Sequence, residues 1–296
     1  MRPLGYPYDP AAKSEVDSAP MDEILVTPPF GTFALTPGEA RIIALTRAMP
    51  SGAIGKRLAL WLRKLVKGAM GRPIDTEVFG LRMRLDGQRN IAERRLLIQP
   101  QHFDPQERAA LAEVLRPGDV AVDVGANVGA YSLFMARYVG TEGRVLACEP
   151  QPQVLERLRV NVQLNPELPI EIIAKAVGAH AGTVEFQLGT GNQGEGRIAE
   201  AGAHDGVVTV PIAPLAQLLD ERGIAAVRAL KIDVEGAEPS VLVPFFEMAP
   251  RAQWPQLIVM EHGNPRWTLD LTAHVCSKGY KVGGQTRLNV LLERAT

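Results

Sequence analysis

The chain has 296 residues, a formal net charge of -1, 46% hydrophobic and 22% charged residues, and two cysteines. That balance excludes wholesale disorder, a nucleic-acid-coating protein with its basic excess, and a disulfide-stapled secreted domain. The longest uncharged run, Ile24 to Gly38, is interrupted by Pro28, Pro29 and Pro37, so nothing matches the roughly 20-residue apolar span of a membrane helix.

The N-terminus, MRPLGYPYDP, lacks the apolar segment of a secretory signal, so the expectation is a cytoplasmic protein. Residues 1–39 carry Asp9, Glu15, Asp17, Asp22, Glu23 and Glu39 against Arg2 and Lys13. With frequent prolines, at least the first 20 residues read as a loosely docked arm. From 40 to 74 the sign reverses, with eight basic residues and no acid. Within that block a helix is expected over 53–70. Ile54, Leu58, Trp61, Leu62, Leu65 and Ala69 share one face, and Lys56, Arg57, Arg63, Lys64 and Lys67 share the other. Two readings stay open: peripheral contact with the acidic inner face of a membrane, or an accessory helix with a solvated basic face. Residues 1–74 form one expected unit, and 75–116 a second, holding a hairpin about Gly80 and a lead-in helix over Glu107–Leu115.

Residues 117–296 alternate short apolar strands with helices: DVAVDVG, a helix from Ala130, RVLACE, a helix from Pro152, IEIIAKAV, TVEFQL, VVTVPIA, a helix from Leu215, ALKID, a helix from Pro239, QLIVME, a helix from Thr268, and a terminal strand pair. This pattern predicts an α/β domain with a mostly parallel sheet covered on both faces. The glycine-rich stretch 189–206 reads as a long loop of the kind that borders active sites.

Three acidic strand ends carry the chemistry. In VDVGANVGAYS, Asp123 closes the first strand, and Gly125, Asn127 and Gly129 lie in the turn that follows. Ligands of open parallel sheets bind at that edge. The turn lacks the glycines of a dinucleotide fingerprint and the Gly-Lys-Ser/Thr of a P-loop; an acid there repels phosphate. Glu149, at the tip of the second strand, can accept from both hydroxyls of a ribose. In LKIDVEGAEPSVL, Asp233, Glu235 and Glu238 crowd one turn. Glu238 is also placed to act as a helix N-terminal charge. Cys148 is expected to point into the core on the opposite face.

RPGDVAVDVGANVGAYS, RVLACEPQPQVLERLRVNVQLN, AVGAHAGTVEF and LKIDVEGAEPSVL together make 117–296 resemble the FkbM family of class I S-adenosylmethionine (SAM) methyltransferases. The resemblance implies a Rossmann-like, mostly parallel seven-stranded sheet with helices on both faces, plus an N-terminal helical and hairpin extension. It implies SAM as cofactor, with Asp123, Gly125, Asn127 and Gly129 in the cofactor loop, Glu149 at the ribose, Ala176 and Val177 beside the adenine, and Asp233 near the methionine end. It also implies O-methylation of a hydroxyl on a sugar, glycan or secondary metabolite, a small-molecule or glycan acceptor in place of nucleic acid.

Hydroxyl methylation needs alignment and proton removal. His262, after QLIVME, and Glu235 compete as the base, with Asp233 beside them. A divalent metal bridging Asp233, Glu235 and Glu261 is a minor variant, and the expectation is that none is bound. Two alternatives stay open: a methyltransferase on protein or nucleic acid, and a non-catalytic membrane-associated SAM-binding protein.

Overall fold

The computed structural model describes residues 27–49, 57, 61–62, 64–66, 68–189, 192, 194, 196–199 and 206–295. The expected arm over the first 20 residues, and Ile54, Lys56, Leu58, Arg63 and Lys67 of the expected basic helix, lie outside the described residues.

A seven-stranded sheet forms the centre. It contains β3 (Val120–Val124), β4 (Arg144–Cys148), β5 (Ile170–Ile173), β10 (Ala229–Ile232), β11 (Leu257–Glu261), β12 (Tyr280–Gln285) and β13 (Asn289–Arg294), in the order β12-β13-β11-β10-β3-β4-β5. The five central and β5-side strands run parallel, and β13 pairs antiparallel with both β11 and β12. The order reverses between β3 and β10, which is where a ligand crevice opens in such sheets.

Side-chain alternation divides the core into two faces. Ala121, Val145, Ala229, Leu257 and Val259 bury one face. They pack against α4 (Ala130–Val139), the lead-in helices α2 (Ile91–Ile98) and α3 (Pro105–Val114), and the hairpin of β1 (Ile74–Val78) and β2 (Leu81–Leu85). Val122, Val124, Leu146, Leu230, Ile232, Ile258 and Met260 bury the other face. There they meet α6 (Leu215–Asp220), α7 (Glu238–Met248) and α8 (Leu271–Ser277). The helix α5 (Pro152–Gln163) starts on a proline at its first turn, as does α3, where the missing N–H costs nothing.

The expected third strand IEIIAKAV is broken in two. Ile170–Ile173 stays in the main sheet. β6 (Ala176–Val177) turns away to pair with β9 (Val207–Ala213), in a separate four-stranded sheet with β7 (Gly182–Gln187) and β8 (Arg197–Ile198). Lys175 N–H donates back to the Ile173 carbonyl at 2.8 Å, a tight local bond that ends ladder pairing at that point. The expected loop over 189–206 therefore contains a two-residue strand in its described part.

The N-terminal helix α1 (Pro37–Ala48) carries a capping box, with Thr36 accepting from Glu39 N–H and the Glu39 side chain reaching back. Buried Asp75 and Arg84 form a two-pronged ion pair at 2.7 and 3.1 Å, and Asp75 also accepts from the N–H groups of Gly31 and Phe33. This pair ties the chain before α1 to the hairpin. Removing one partner strands a buried charge, a loss of ~3–5 kcal/mol. Asp75→Ala is therefore expected to lower unfolding free energy by about that amount in urea titration; a change under about 1 kcal/mol would mean the pair is solvated in solution.

Among the described residues of the expected basic helix, Arg57, Trp61, Leu62, Lys64 and Leu65 are helical. Val66 is buried, whereas Trp61 and Leu65 are 56% and 58% exposed. The inward face is thus turned from the one the periodicity suggested, leaving two large apolar side chains in water. Among the described residues no helix is long and apolar enough to cross a membrane.

Candidate active site

At the carboxyl ends of β3, β4 and β10, a cavity of about 400 Å³ opens on the face covered by α2, α3 and α4. Alternation brings four charged side chains to it. Asp123 shares its parity with Ala121, as Lys231 and Asp233 share theirs with Ala229, and Glu261 with Val259. These four all line the cavity.

The turn after β3 is built by close approach. Gly125 adopts φ +81, and a Cβ there would lie 2.0 Å from the Asp233 carbonyl oxygen. Gly125 and Ala126 N–H both donate to the Cys148 carbonyl, at 3.0 and 2.9 Å. Asn127 is left-handed at φ 51, which its short polar side chain tolerates. Its N–H donates to Glu149 Oε2 at 2.9 Å, and its Oδ1 accepts from Asn90 Nδ2 at 2.8 Å. Gly129, expected in the cofactor loop, does not line the cavity. It begins α4 at φ +90, where a Cβ would strike Leu158 at 2.7 Å, so its role is helix packing.

Asp123 is buried and accepts from Ser132 Oγ at 2.5 Å. Burial raises its carboxyl to about 6, against the pull of Ser132 and the charge of Lys231. Glu149 is likewise pushed up to about 7 by burial, although Gln151 and Asn127 N–H each hold one oxygen at 2.9 Å. Two buried carboxylates at one cavity are costly to ionise unless a ligand brings a cation or hydroxyl donors to them. Beyond Glu149 the wall turns apolar, with Ala176, Val177, Phe186 and Ile198, a surface suited to a flat ring.

Cys148 packs with Val122, Val124 and Leu146 on the opposite face, as alternation implied. Burial pushes its thiol up to about 12, which keeps it unreactive.

At the other end stand Asp233, Glu235 and Glu261. Lys231 Nζ lies 3.2 Å from Asp233 Oδ2 and 5.2 Å from the Tyr131 ring centroid. Glu235 holds a left-handed backbone, φ 55. Glu238, the first residue of α7, does not line the cavity. It accepts from Val234 N–H at 2.9 Å and from Trp267 Nε1 at 3.0 Å, so it shapes the turn. Asp233, Glu238 and Glu261 bring oxygens within 4.8 Å of one another. Glu238 thus stands where the sequence suggested Glu235, and it and Glu261 already accept hydrogen bonds.

His262, a candidate base in the sequence, is turned away. Its Nε2 meets the Thr286 carbonyl at 3.1 Å and its backbone N–H donates to Leu288 O, which ties it to the β12–β13 turn. It is absent from the cavity wall. Sequence reasoning missed Asn90, Arg95, Asp104, Tyr131, Lys231 and Phe186, all of which line the cavity. A usable signal existed for one of them: a lysine within the otherwise apolar ALKI strand.

A seven-stranded sheet with one antiparallel strand, and acids ending β3, β4 and β10 at the reversal of strand order, is the architecture expected of class I methyltransferases. The methyltransferase FkbM domain matches residues 123–282, and the chain belongs to that family. The 31-O-demethyl-FK506 methyltransferase FkbM of Streptomyces tacrolimicus is 29% identical over 172 residues, 48% of this chain and 64% of that protein. The chain thus spans just under two thirds of that relative's length. Among solved structures, a putative methyltransferase of Streptococcus mutans in complex with SAH aligns with TM-score 0.41 and 11% identity, over 64% of this chain and 97% of that one. A putative rRNA-methylase from Clostridium thermocellum aligns with TM-score 0.41 and 14% identity, over 65% and 95%. Neither identifies an acceptor for this chain.

Proposed function

We propose that the chain is a SAM-dependent O-methyltransferase acting on a hydroxyl of a sugar, glycan or secondary metabolite. The carrying observation is the pair of buried carboxylates at one cavity: Asp123 before the Gly125 turn, and Glu149 at the tip of β4, which accepts from Asn127 N–H of that turn. SAM fits this donor set: Asp123 would hold its ammonium group, Glu149 its ribose hydroxyls, and Ala176, Val177 and Phe186 its adenine. Bound there, it would supply an activated methyl group to the acceptor oxygen, with the S–C bonding pair returning to sulfur and the hydroxyl proton passing to a base.

The chain's own residues do the rest. Gly125 lets the backbone approach closely, and Lys231 fixes Asp233 at the strand end. Glu235 is the group we assign to the departing proton. It lines the cavity with a strained backbone, and such strain concentrates at functional positions. An oxygen acceptor is further supported by the Streptomyces tacrolimicus relative, named for methylating 31-O-demethyl-FK506. Glu235→Gln is expected to lower kcat by about 10²-fold or more with SAH affinity held within about threefold. Wild-type kcat in that variant would move the base role elsewhere.

A second reading concerns location. Exposed Trp61 and Leu65 beside exposed Arg57 and Lys64, in a stretch without acids, support peripheral contact with an anionic lipid surface. In co-sedimentation with phosphatidylserine vesicles, wild type is expected to pellet and a Trp61→Glu/Leu65→Glu variant to stay in solution. Equal, negligible pelleting of both removes this reading.

A further inference from the structure

Asp104 occupies the residue before α3, a position where aspartate ordinarily caps the first helical N–H groups. It makes no such bond. It also adopts a left-handed backbone, φ 43 and ψ 60. Its carboxylate is turned instead to Arg95 Nη2 at 3.0 Å through Oδ1, and to the Tyr131 hydroxyl at 3.1 Å through Oδ2. With the capping bond forgone, the carboxylate is held by these two side chains instead.

Asp104 and Arg95 line the main cavity, and both also line a second one of about 190 Å³ bounded by Glu107, Thr286 and Leu288. The two spaces share Arg95, Asp104 and Leu288, so the second adjoins the first as a side groove. Inward, the polar wall is continuous: Asp104 bonds Tyr131, Lys231 lies over the Tyr131 ring, and Lys231 pairs with Asp233. The groove is anchored on both banks, because Glu107 Oε1 accepts from Thr286 Oγ1 at 2.7 Å and Asn289 Nδ2 at 2.8 Å. Arg95 lies over the Phe103 ring at 5.1 Å, which fixes the guanidinium beside the carboxylate. An acceptor and a donor set side by side, over an aromatic ring, match a hydroxyl group that both gives and takes hydrogen bonds.

We infer that the Asp104 carboxylate, held by Arg95 and Tyr131, binds the methyl acceptor through a hydroxyl, and that the adjoining groove toward Leu288 seats the outer part of the same acceptor. This rests on the methyltransferase reading above, and makes Asp104 a determinant of acceptor binding that leaves the cofactor half of the site untouched.

The test uses the full chain and four proteins: wild type, Asp104→Asn, Asp104→Ala, and Leu288→Trp, the last at a residue 41% exposed that can be enlarged without disturbing the core. SAH affinity is measured by titration calorimetry. Acceptor binding is read by saturation-transfer NMR on the SAH complexes with methyl α-L-rhamnopyranoside, methyl α-D-mannopyranoside and methyl β-D-glucopyranoside as probes. The expected result is SAH affinity within about threefold in all four. At least one glycoside should bind wild type and be weakened about tenfold or more in both Asp104 variants and in Leu288→Trp, the change expected for losing one charge-assisted hydrogen bond or the space itself. Wild-type glycoside binding in Asp104→Ala overturns the inference, as does a wild-type SAH complex that binds none of the probes. Failure of SAH to bind folded wild type overturns the cofactor reading, and this inference with it.

Discussion

Gly125→Ala is expected to abolish SAH binding and to lower unfolding free energy by ~3–5 kcal/mol, combining left-handed strain with a backbone clash. The added Cβ would lie 2.0 Å from the Asp233 carbonyl oxygen and 3.0 Å from its carbonyl carbon, at φ +81. Both obstacles are backbone at the end of a central strand, so no side chain can swing aside. β3 and β10 would have to part where Asp123 and Asp233 are presented. Gly223→Ala separates the two causes. Gly223 also has a positive φ, +62, but open space around it, so this variant should lose only ~1 kcal/mol and bind normally. Thermal or urea unfolding together with calorimetry checks both. Normal SAH affinity in Gly125→Ala would mean the turn is not part of the ligand cradle.

Binding is expected to weaken by 10²–10³-fold, to order of magnitude, between pH 7.5 and pH 5. Without ligand, burial holds Asp123 near 6 and Glu149 near 7. Below those values the groups carry protons that a cation and a ribose must displace, so affinity rises with pH and levels off above about 7. Stability of the unliganded protein runs the other way. Both pKa values are raised above their unfolded values, so the contribution of these groups is full below about 4 and is lost as pH climbs through 6 and 7. Calorimetry in two buffers of different ionisation enthalpy should show proton release on SAH binding at pH 6. Glu149→Gln should remove the upper part of the pH dependence and keep the part near 6. A flat affinity from pH 5 to 7.5 would show that neither carboxylate faces the ligand.

The placement of Asp123 and Glu149 at the cavity was legible because two local rules coincide there: short buried strands, and an acid at the tip of each. Asp123 and Glu149 follow from those rules without knowledge of packing. His262 obeyed the same strand-end logic and still pointed the wrong way. Its ring and backbone N–H are engaged by the Thr286 and Leu288 carbonyls, contacts of the terminal strand pair that a strand-end rule does not foresee. The cavity residues contributed from outside the sheet were illegible for a different reason. Asn90, Arg95 and Asp104 lie on short lead-in elements, and only the packing of α2 and α3 against α4 carries them to the sheet edge. The basic helix shows the limit of periodicity, since it set an apolar stripe but not which part of that stripe meets the body. The strand IEIIAKAV reads as one apolar run, and its break into two sheets depends on β9, some 35 residues later.

Calorimetric titration of SAH into wild type, Asp123→Ala and Glu149→Ala at pH 7.5 tests the central claim most directly. The expected result is one site per chain, with micromolar affinity for wild type and at least about 10²-fold weaker binding in each variant, the loss that follows from deleting one charge-assisted contact in a buried site. Folded wild type that takes up no SAH, or variants that bind as wild type does, would contradict it.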